Sequence, residues 1–498
     1  MNVRKSWHKA VSTTIIVVVI LVIIIVAGVA AYVALTPSST TSSTSTSTTL
    51  SGSTSTFSSS SSTHPVTVNV ISFDQGLVWT DLWNATTGAP LAPLLSFEQK
   101  NNIIINVEFD DEATVREKVQ ADMSTGTGHY DITLADSSNL VDVYDNAGML
   151  YPLNDFFTPG NSMYTPSPYF NYSDFLPKTI SMLSLGDKLY ALPYFTFAAA
   201  LMYRADLLQK YSVSVPTTMD QLWNVTLPAL KAGMQGDGTL GTVYPVALRG
   251  EPKETTALDV NAVFSGLGVC WFQGCYWNKT DIIANKALPD FNSTKAVEAI
   301  NDYAILGKTY STADTPSYDF SKAISLYQAG KAAILFPSSV NGFVAVDGAT
   351  PAIASQMKFV PMVVGPTGQS LDQLWSLSFG ISEATHNPQQ AWLALTFLTG
   401  HDEQLNFATN FFPNPSLLSV LNSPQLTQKW GAATMQTMIT GLNDANPHFI
   451  PNIPETNAIM VEIGVVTSAV MSGQMTAQQA GQTLQNFAYT LLYGDGYY

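Results

Sequence analysis

Val66-Thr-Val-Asn-Val-Ile-Ser-Phe73, Ile103-Ile-Ile-Asn-Val-Glu-Phe109 and Tyr130-Asp-Ile-Thr-Leu134 are short apolar runs whose spacing decides the fold. The first alternates apolar and polar residues, as a strand does when one face meets a core. Between the first and second runs, Leu91 to Asn101 reads as a helix. Between the second and third, Thr114 to Met123 reads as another, closed by the breakers Ser124-Thr-Gly-Thr-Gly128. Strands alternating with helices in this way predict a parallel sheet covered on its faces, with ligands beyond the strand carboxyl ends. Asp74 and Asp136 fall at those ends, and Trp79 a little further on.

Working outward, 498 residues exceed what one ordinary core accommodates, so two domains are expected. Only 12% of residues are charged, and the formal net charge is -16. Such a balance excludes nucleic acid as a partner, because no basic excess exists to neutralise phosphates. A neutral ligand or a cationic partner fits better.

The amino terminus speaks to location. Residues 1–10 carry Arg4, Lys5 and Lys9, and residues 11–35 form an uncharged, Ile/Val-rich run. As a helix that run is roughly 37 Å long, enough to cross a membrane. The preceding cations place the amino terminus inside and the remainder outside. Lys9-Ala10 before the apolar run is similar to archaeal prepilin-like signals, which are cut there and keep the helix. Residues 36–64 are almost wholly Ser and Thr and read as a flexible stalk. The expectation is a single-pass cell-membrane protein with an extracellular ectodomain. Sequons at Asn84, Asn171, Asn224, Asn278 and Asn292 are candidate glycosylation sites in that setting. Cys270 and Cys275 are the only cysteines, and the pair reads as a disulfide closing a small loop.

Further motifs recur in a particular order. Phe97-Glu98-Gln-Lys100 precedes the second strand, and Tyr130-Asp131-Ile132 is followed by Ala147-Gly-Met-Leu150-Tyr-Pro-Leu153. Lys188-Leu-Tyr-Ala-Leu-Pro193-Tyr continues to Leu201-Met-Tyr203-Arg-Ala-Asp206 and Pro216-Thr-Thr-Met-Asp-Gln-Leu222. Then come Tyr327-Gln-Ala-Gly330-Lys-Ala-Ala-Ile334, Ala391-Trp-Leu-Ala-Leu-Thr-Phe397 and Pro451-Asn-Ile-Pro454. Across residues 66 to 490 this order resembles the maltose-binding-like family 1 extracellular solute-binding proteins, the sugar-binding components of ABC importers, here of an archaeal membrane-anchored type. The resemblance implies an α/β, two-lobed periplasmic-binding-protein-like fold with the ligand in the interlobe cleft. It implies one lobe from residues 65–193 and 336–380, and the other from 194–335 and 383–498. Crossings are expected near Ala191 to Phe197, Leu335 to Ser339 and Ser378 to Ser382.

Neutral sugars are held by aromatic faces against ring C–H groups and by polar side chains against hydroxyls. The candidate ligand contacts are Asp74, Trp79, Asp136, Ser137, Tyr194, Trp277, Asn341 and Trp375. Core packing is the alternative for each aromatic, and helix capping for Asp74. The family often has Trp where Met460 stands, an aromatic cluster where Ser338 to Asn341 stand, and Glu where Phe197 stands. These departures weigh against maltose while leaving the fold. Gly236-Asp-Gly238-Thr-Leu-Gly241 spells a dinucleotide fingerprint, but it follows a helix and precedes a strand, the reverse of such a site. Neither cofactor nor metal is expected, and the reading is a binder, not an enzyme. The expected partners are a small sugar, ABC permease subunits, and the membrane through the amino-terminal helix. A surface adhesin or pilus-like subunit, and a polysaccharide-acting enzyme using Asp74 and Asp136, remain alternatives.

Overall fold

A computed structural model of the chain describes residues 64–73, 78–84, 86–110, 112–135, 149–158, 167–338 and 345–498. The apolar run 11–35 and nearly all of the Ser/Thr stalk lie outside them. Among the described residues no helix is long and apolar enough to cross a membrane.

The alternation read from the sequence builds the first sheet. Strand β1 (Val66–Phe73), helix α1 (Ala92–Asn101), strand β2 (Ile103–Asp110), helix α2 (Glu112–Thr125) and strand β3 (Ile132–Leu134) follow in order. β1 runs parallel to β2, from Val66 opposite Ile103 to Phe73 opposite Asp110, and parallel to β3 through Val70 and Ile132. Two later strands complete the sheet, β4 (Ala191–Ala198) and β9 (Leu374–Ile381), in the order β2-β1-β3-β9-β4.

The second sheet contains β5 (Ala200–Arg204), β6 (Tyr244–Ala247), β7 (Ala332–Ser338) and β8 (Met357–Pro361), ordered β8-β5-β7-β6. Its two faces are packed separately. Leu201, Val246 and Ile334 enter the large core, while Met202, Ala247 and Leu335 enter a smaller one on the other face. Helix α3 (Leu227–Gly236) leads through the Gly236 to Gly241 turn into β6, so the dinucleotide-like letters sit in a helix-to-strand connection. Helices α4 (Glu254–Leu267) and α5 (Thr294–Tyr310) follow. The sulfurs of Cys270 and Cys275 are bonded in the loop after α4.

The remaining helices divide between the lobes. α6 (Pro388–Leu398), α7 (His401–Asn410) and α8 (Ala432–Asp444) contribute to the first core, with Trp392, Phe407 and Met438 buried there. α9 (Thr456–Met471) and α10 (Ala477–Gly494) contribute Ile459, Ile463, Leu484 and Ala488 to the second. The first core therefore draws on Val68 to Ala200 and Leu374 to Ala445. The second draws on Ala199 to Leu371 and Ile453 to Tyr497.

This partition corrects the expected boundaries. Residues 194–198 complete β4 in the first sheet, not the second lobe; residues 336–338 of β7 and all of β8 belong to the second sheet, not the first lobe; and residues 383–445 cover the first sheet, not the second. The chain crosses at Ala199, between β8 and β9, and between Ala445 and Ile453. Ser378 to Ser382 is no crossing, since β9 runs through Ile381 beside β3. Nor does the chain cross within the described part of Leu335 to Ser339, where β7 runs to Ser338 beside β5. The physical reason is that local pattern gives a helix or strand its type but not the sheet it will cover.

Within the second lobe, α4 is buried on every side and holds an ion pair in its core. Asp259 is 1% exposed and takes a bidentate contact from Arg249, whose Nε lies 2.8 Å from Oδ2. The Tyr303 hydroxyl lies 2.9 Å from both Asp259 Oδ2 and the Arg249 carbonyl. α9 crosses the start of α4 so closely that a Cβ on Gly464 would meet the Lys253 carbonyl oxygen at 2.0 Å. Gly to Ala in a free helix stabilises by about 1 kcal/mol, but overpacking costs about 1–3 kcal/mol. Gly464→Ala is therefore expected to destabilise the protein in chemical denaturation, and a gain in stability would refute this account of the α4–α9 contact.

Candidate functional site

Strand direction shows where the two sheets present their ligand-binding ends. β9 is antiparallel to both β3 and β4, so β1, β2, β3 and β4 all point their carboxyl ends the same way. In the second sheet Ala200, the first residue of β5, pairs with Ser338 and with Pro361, the last residues of β7 and β8. β6 lies parallel to β7 and ends at the same edge. Only Ala199 separates β4 from β5. The carboxyl edges of the two sheets are thus brought against one another at that residue, at the kind of edge where α/β sheets bind ligands.

Two aromatic side chains stand at this edge. Phe197 and Trp375 are direct cross-strand partners on β4 and β9, one residue in from the pair Ala198 and Leu374. Their rings are 5.0 Å apart and both are half-buried. Behind them Phe195 stacks on Phe407 of α7, with centroids 4.8 Å apart and planes at 2°. A packed aromatic column therefore ends in a partly open pair, a surface suited to the C–H face of a sugar ring.

Polar groups join the hinge beside that pair. Gln373 bridges Asn446 in parallel, the Leu374 N–H donates to the Asn446 carbonyl, and the Asn446 N–H donates to the Asp372 carbonyl. Asn446 Nδ2 also donates to Ser265 Oγ on α4, at 3.2 Å. The segment continues to His448, whose ring lies 5.6 Å from Trp277. The Trp277 carbonyl accepts from the Asn452 N–H. Trp277 thus packs on the third crossing, on the second lobe's side.

Residues 76–405 match the family described as bacterial extracellular solute-binding protein. The chain belongs to that family. A mannitol-binding protein from Pseudomonas aeruginosa is 23% identical over 388 residues, covering 74% of this chain and 82% of that protein. Among solved structures, an ABC transporter solute-binding protein from Agrobacterium radiobacter in complex with ribitol superimposes with a TM-score of 0.69 at 20% identity. The match covers 86% of this chain and 99% of the other. A maltose-bound protein of T. maritima gives a TM-score of 0.67 at 20% identity, over 86% and 100% of the two chains. These solved structures share the two-lobed α/β fold.

For a solute-binding protein of this family, the sequence-selected residues divide three ways. Asp74 follows directly on Phe73 of β1, Asp136 and Ser137 follow β3, and Asn341 follows β7. All four lie outside the described residues. Trp375 stands at the edge, and Trp277 beside the hinge. Trp79 and Tyr194 are corrections, since each is 1% exposed. Trp79 donates its indole N–H to the Leu398 carbonyl at 2.9 Å and packs on Tyr194 and Phe379. Tyr194 faces inward from β4 toward Phe407. β4 bulges at Tyr194, which is skipped between the pairs Phe195–Leu377 and Pro193–Ser378, so its ring packs with those of Phe195 and Phe407, and sequence alone could not reveal that irregularity. Phe197 was visible only as a departure from the family; its pairing with Trp375 comes from register. Asn446 and His448 carried no local signal.

Asp81 and Glu403 form a second acidic feature behind Trp79. Glu403 is 4% exposed on α7, and burial, with Asp81 beside it, pushes its carboxyl up to about 9. Asp81 is also raised by burial. Asp81 and Glu403 meet side chain to side chain, a contact two carboxyls can make only while one keeps its proton and donates it to the other. Because the folded carboxyl holds its proton more tightly than the unfolded one, this stabilisation is complete below the unfolded value of about 4.3. It is lost as pH rises through about 9. Glu403→Gln is expected to lose less stability than the native chain between about pH 5 and about pH 9 in denaturation titrations. Parallel pH profiles for the two proteins would contradict the shared proton.

Proposed function

We propose that this protein captures a neutral sugar or sugar alcohol between its lobes and delivers it to the permease of an ABC importer. The observation that carries the reading is the half-buried Phe197–Trp375 pair at the facing carboxyl edges. Aromatic faces bind the apolar side of a polyhydroxyl ligand, and amide or carboxylate side chains bind its hydroxyls. In our reading Gln373 and Asn446 serve the second role, joined by Asp74, Asp136, Ser137 and Asn341, which follow β1, β3 and β7 in sequence. Relatives named for mannitol, ribitol and maltose support this ligand class.

A protein of this extracellular family works outside the cytoplasm. In our reading residues 11–35 tether it to the membrane and residues 36–64 space the lobes from it, raising the captured ligand's concentration near the permease. Asn84, Asn171 and Asn292 are exposed and are the preferred glycosylation acceptors. Asn224 is disfavoured because Thr226 of its sequon is 2% exposed. Asn278 is disfavoured because its side chain caps a helix through Asp281.

The deciding experiment is thermal denaturation of the full chain with D-mannitol, ribitol and maltose, using a neutral tripeptide and spermidine as controls. Selective stabilisation by one of the polyhydroxyl compounds is expected, since a ligand that binds only the folded state must stabilise it. Trp375→Ala should weaken that ligand roughly tenfold, the cost of truncating a well-placed aromatic contact. Stabilisation by the tripeptide or spermidine alone would overturn the ligand class.

A further inference from the structure

All three connections between the lobes converge on one residue, Asp372. Asp372 lies in the second connection, two residues before β9, and is 1% exposed. Its carboxyl faces the N–H groups of Ala199, in the first connection, and Gln373. Neither contact reaches hydrogen-bond geometry, and both oxygens are without a partner among the described residues. Gly441 of α8 adjoins them, since a Cβ there would come within 3.0 Å of Asp372 Oδ2, 3.2 Å of Ala198 Cβ and 3.5 Å of the Ala199 carbonyl oxygen. The Asp372 carbonyl accepts from Asn446, in the third connection.

A carboxylate cannot remain ionised in such a place without a partner, because removal from water costs several kcal/mol that no ion pair here offsets. The charged groups nearby are Lys178, on the short helix Pro177–Met182, and Asp444, on α8. Lys178 is engaged at the end of α8, donating to the carbonyls of Asn443 and Ala445. Asp444 repels a negative charge. Burial, foremost, holds the Asp372 carboxyl well above the usual carboxylate range.

We propose that Asp372 is a positioning residue of the hinge: a neutral carboxyl wedged where the three interlobe segments meet, whose ionisation separates those segments and turns the lobes apart. Parting the segments is the short route from this position to water, since the residue is enclosed by them. The inference rests on the proposed capture between the lobes, to which it adds that the lobes move about this hinge, and it makes rising pH a means of loosening the three segments. Raised folded-state proton affinity means that the compact hinge is favoured at low pH and lost as pH rises through the group's folded value.

The test is hydrogen-exchange mass spectrometry on the ligand-free full chain at about pH 5 and about pH 9, scaled for the intrinsic pH dependence of exchange. In the native protein, peptides spanning Ala198 to Ala200, Leu371 to Leu374 and Gly441 to Asn446 should lose protection together at the higher pH, while α4 and α9 keep theirs. Asp372→Asn, which imitates the protonated acid, should keep all three segments protected at both values. Glu403 titrates in both proteins, so their difference isolates Asp372. Equal protection of the native segments at both pH values would overturn the proposal, as would the same loss in Asp372→Asn. Should the α4 and α9 peptides show that Asp372→Asn does not fold, Asp372→Ser, which also cannot ionise, replaces it under the same criteria. Because no ligand is present, this outcome is independent of whether any sugar binds.

Discussion

A single residue, Ala199, links the last strand of one sheet to the first strand of the other, and that short link constrains everything around it. A residue spans at most about 3.6 Å, so the end of β4 and the start of β5 must be neighbours in space. β4 arrives with its carboxyl end, parallel to β1, β2 and β3. β5 departs antiparallel to β7, whose carboxyl end therefore returns to the same place. Two carboxyl edges facing one another across a hinge follow from one short connection and the direction of its strands.

The two lobes meet this constraint with different interiors. The first closes on stacked aromatics, running from Phe407 through Phe195 to the half-open Phe197 and Trp375. The second closes around α4, a helix buried on every side and carrying the Asp259–Arg249 pair with Tyr303 upon it. A buried ion pair contributes little net stability over an apolar replacement, but leaving one of its charges alone is costly. Its consequence is a well-defined position for α4, against which α9 and Asn446 are set.

Acidic side chains make a related point about where charge is placed. In a chain with few charged residues, Asp372, Asp81 and Glu403 are nevertheless withdrawn from solvent with their proton affinities raised. None belongs to the aromatic pair at the ligand edge. Asp372 stands where the three interlobe segments meet, and the Asp81–Glu403 pair lies behind Trp79.

Much of this was legible in the sequence. The alternation of Val66 to Phe73 and the helix-strand spacing after it determined a parallel α/β sheet, because side-chain periodicity is set by local backbone geometry. The ordered motifs from Phe97 to Pro454 determined the family, and Trp375 was found as a candidate. Tertiary structure alone decided that Trp79 and Tyr194 are core residues, that β8 and the end of β7 belong to the second lobe, and that α6 to α8 cover the first. It alone paired Phe197 with Trp375 and gathered Ala199, Asp372 and Asn446 at one point. Those facts depend on which face of a strand is covered and which strand lies beside it. Both are settled by contacts between residues far apart in the chain, which no local pattern encodes.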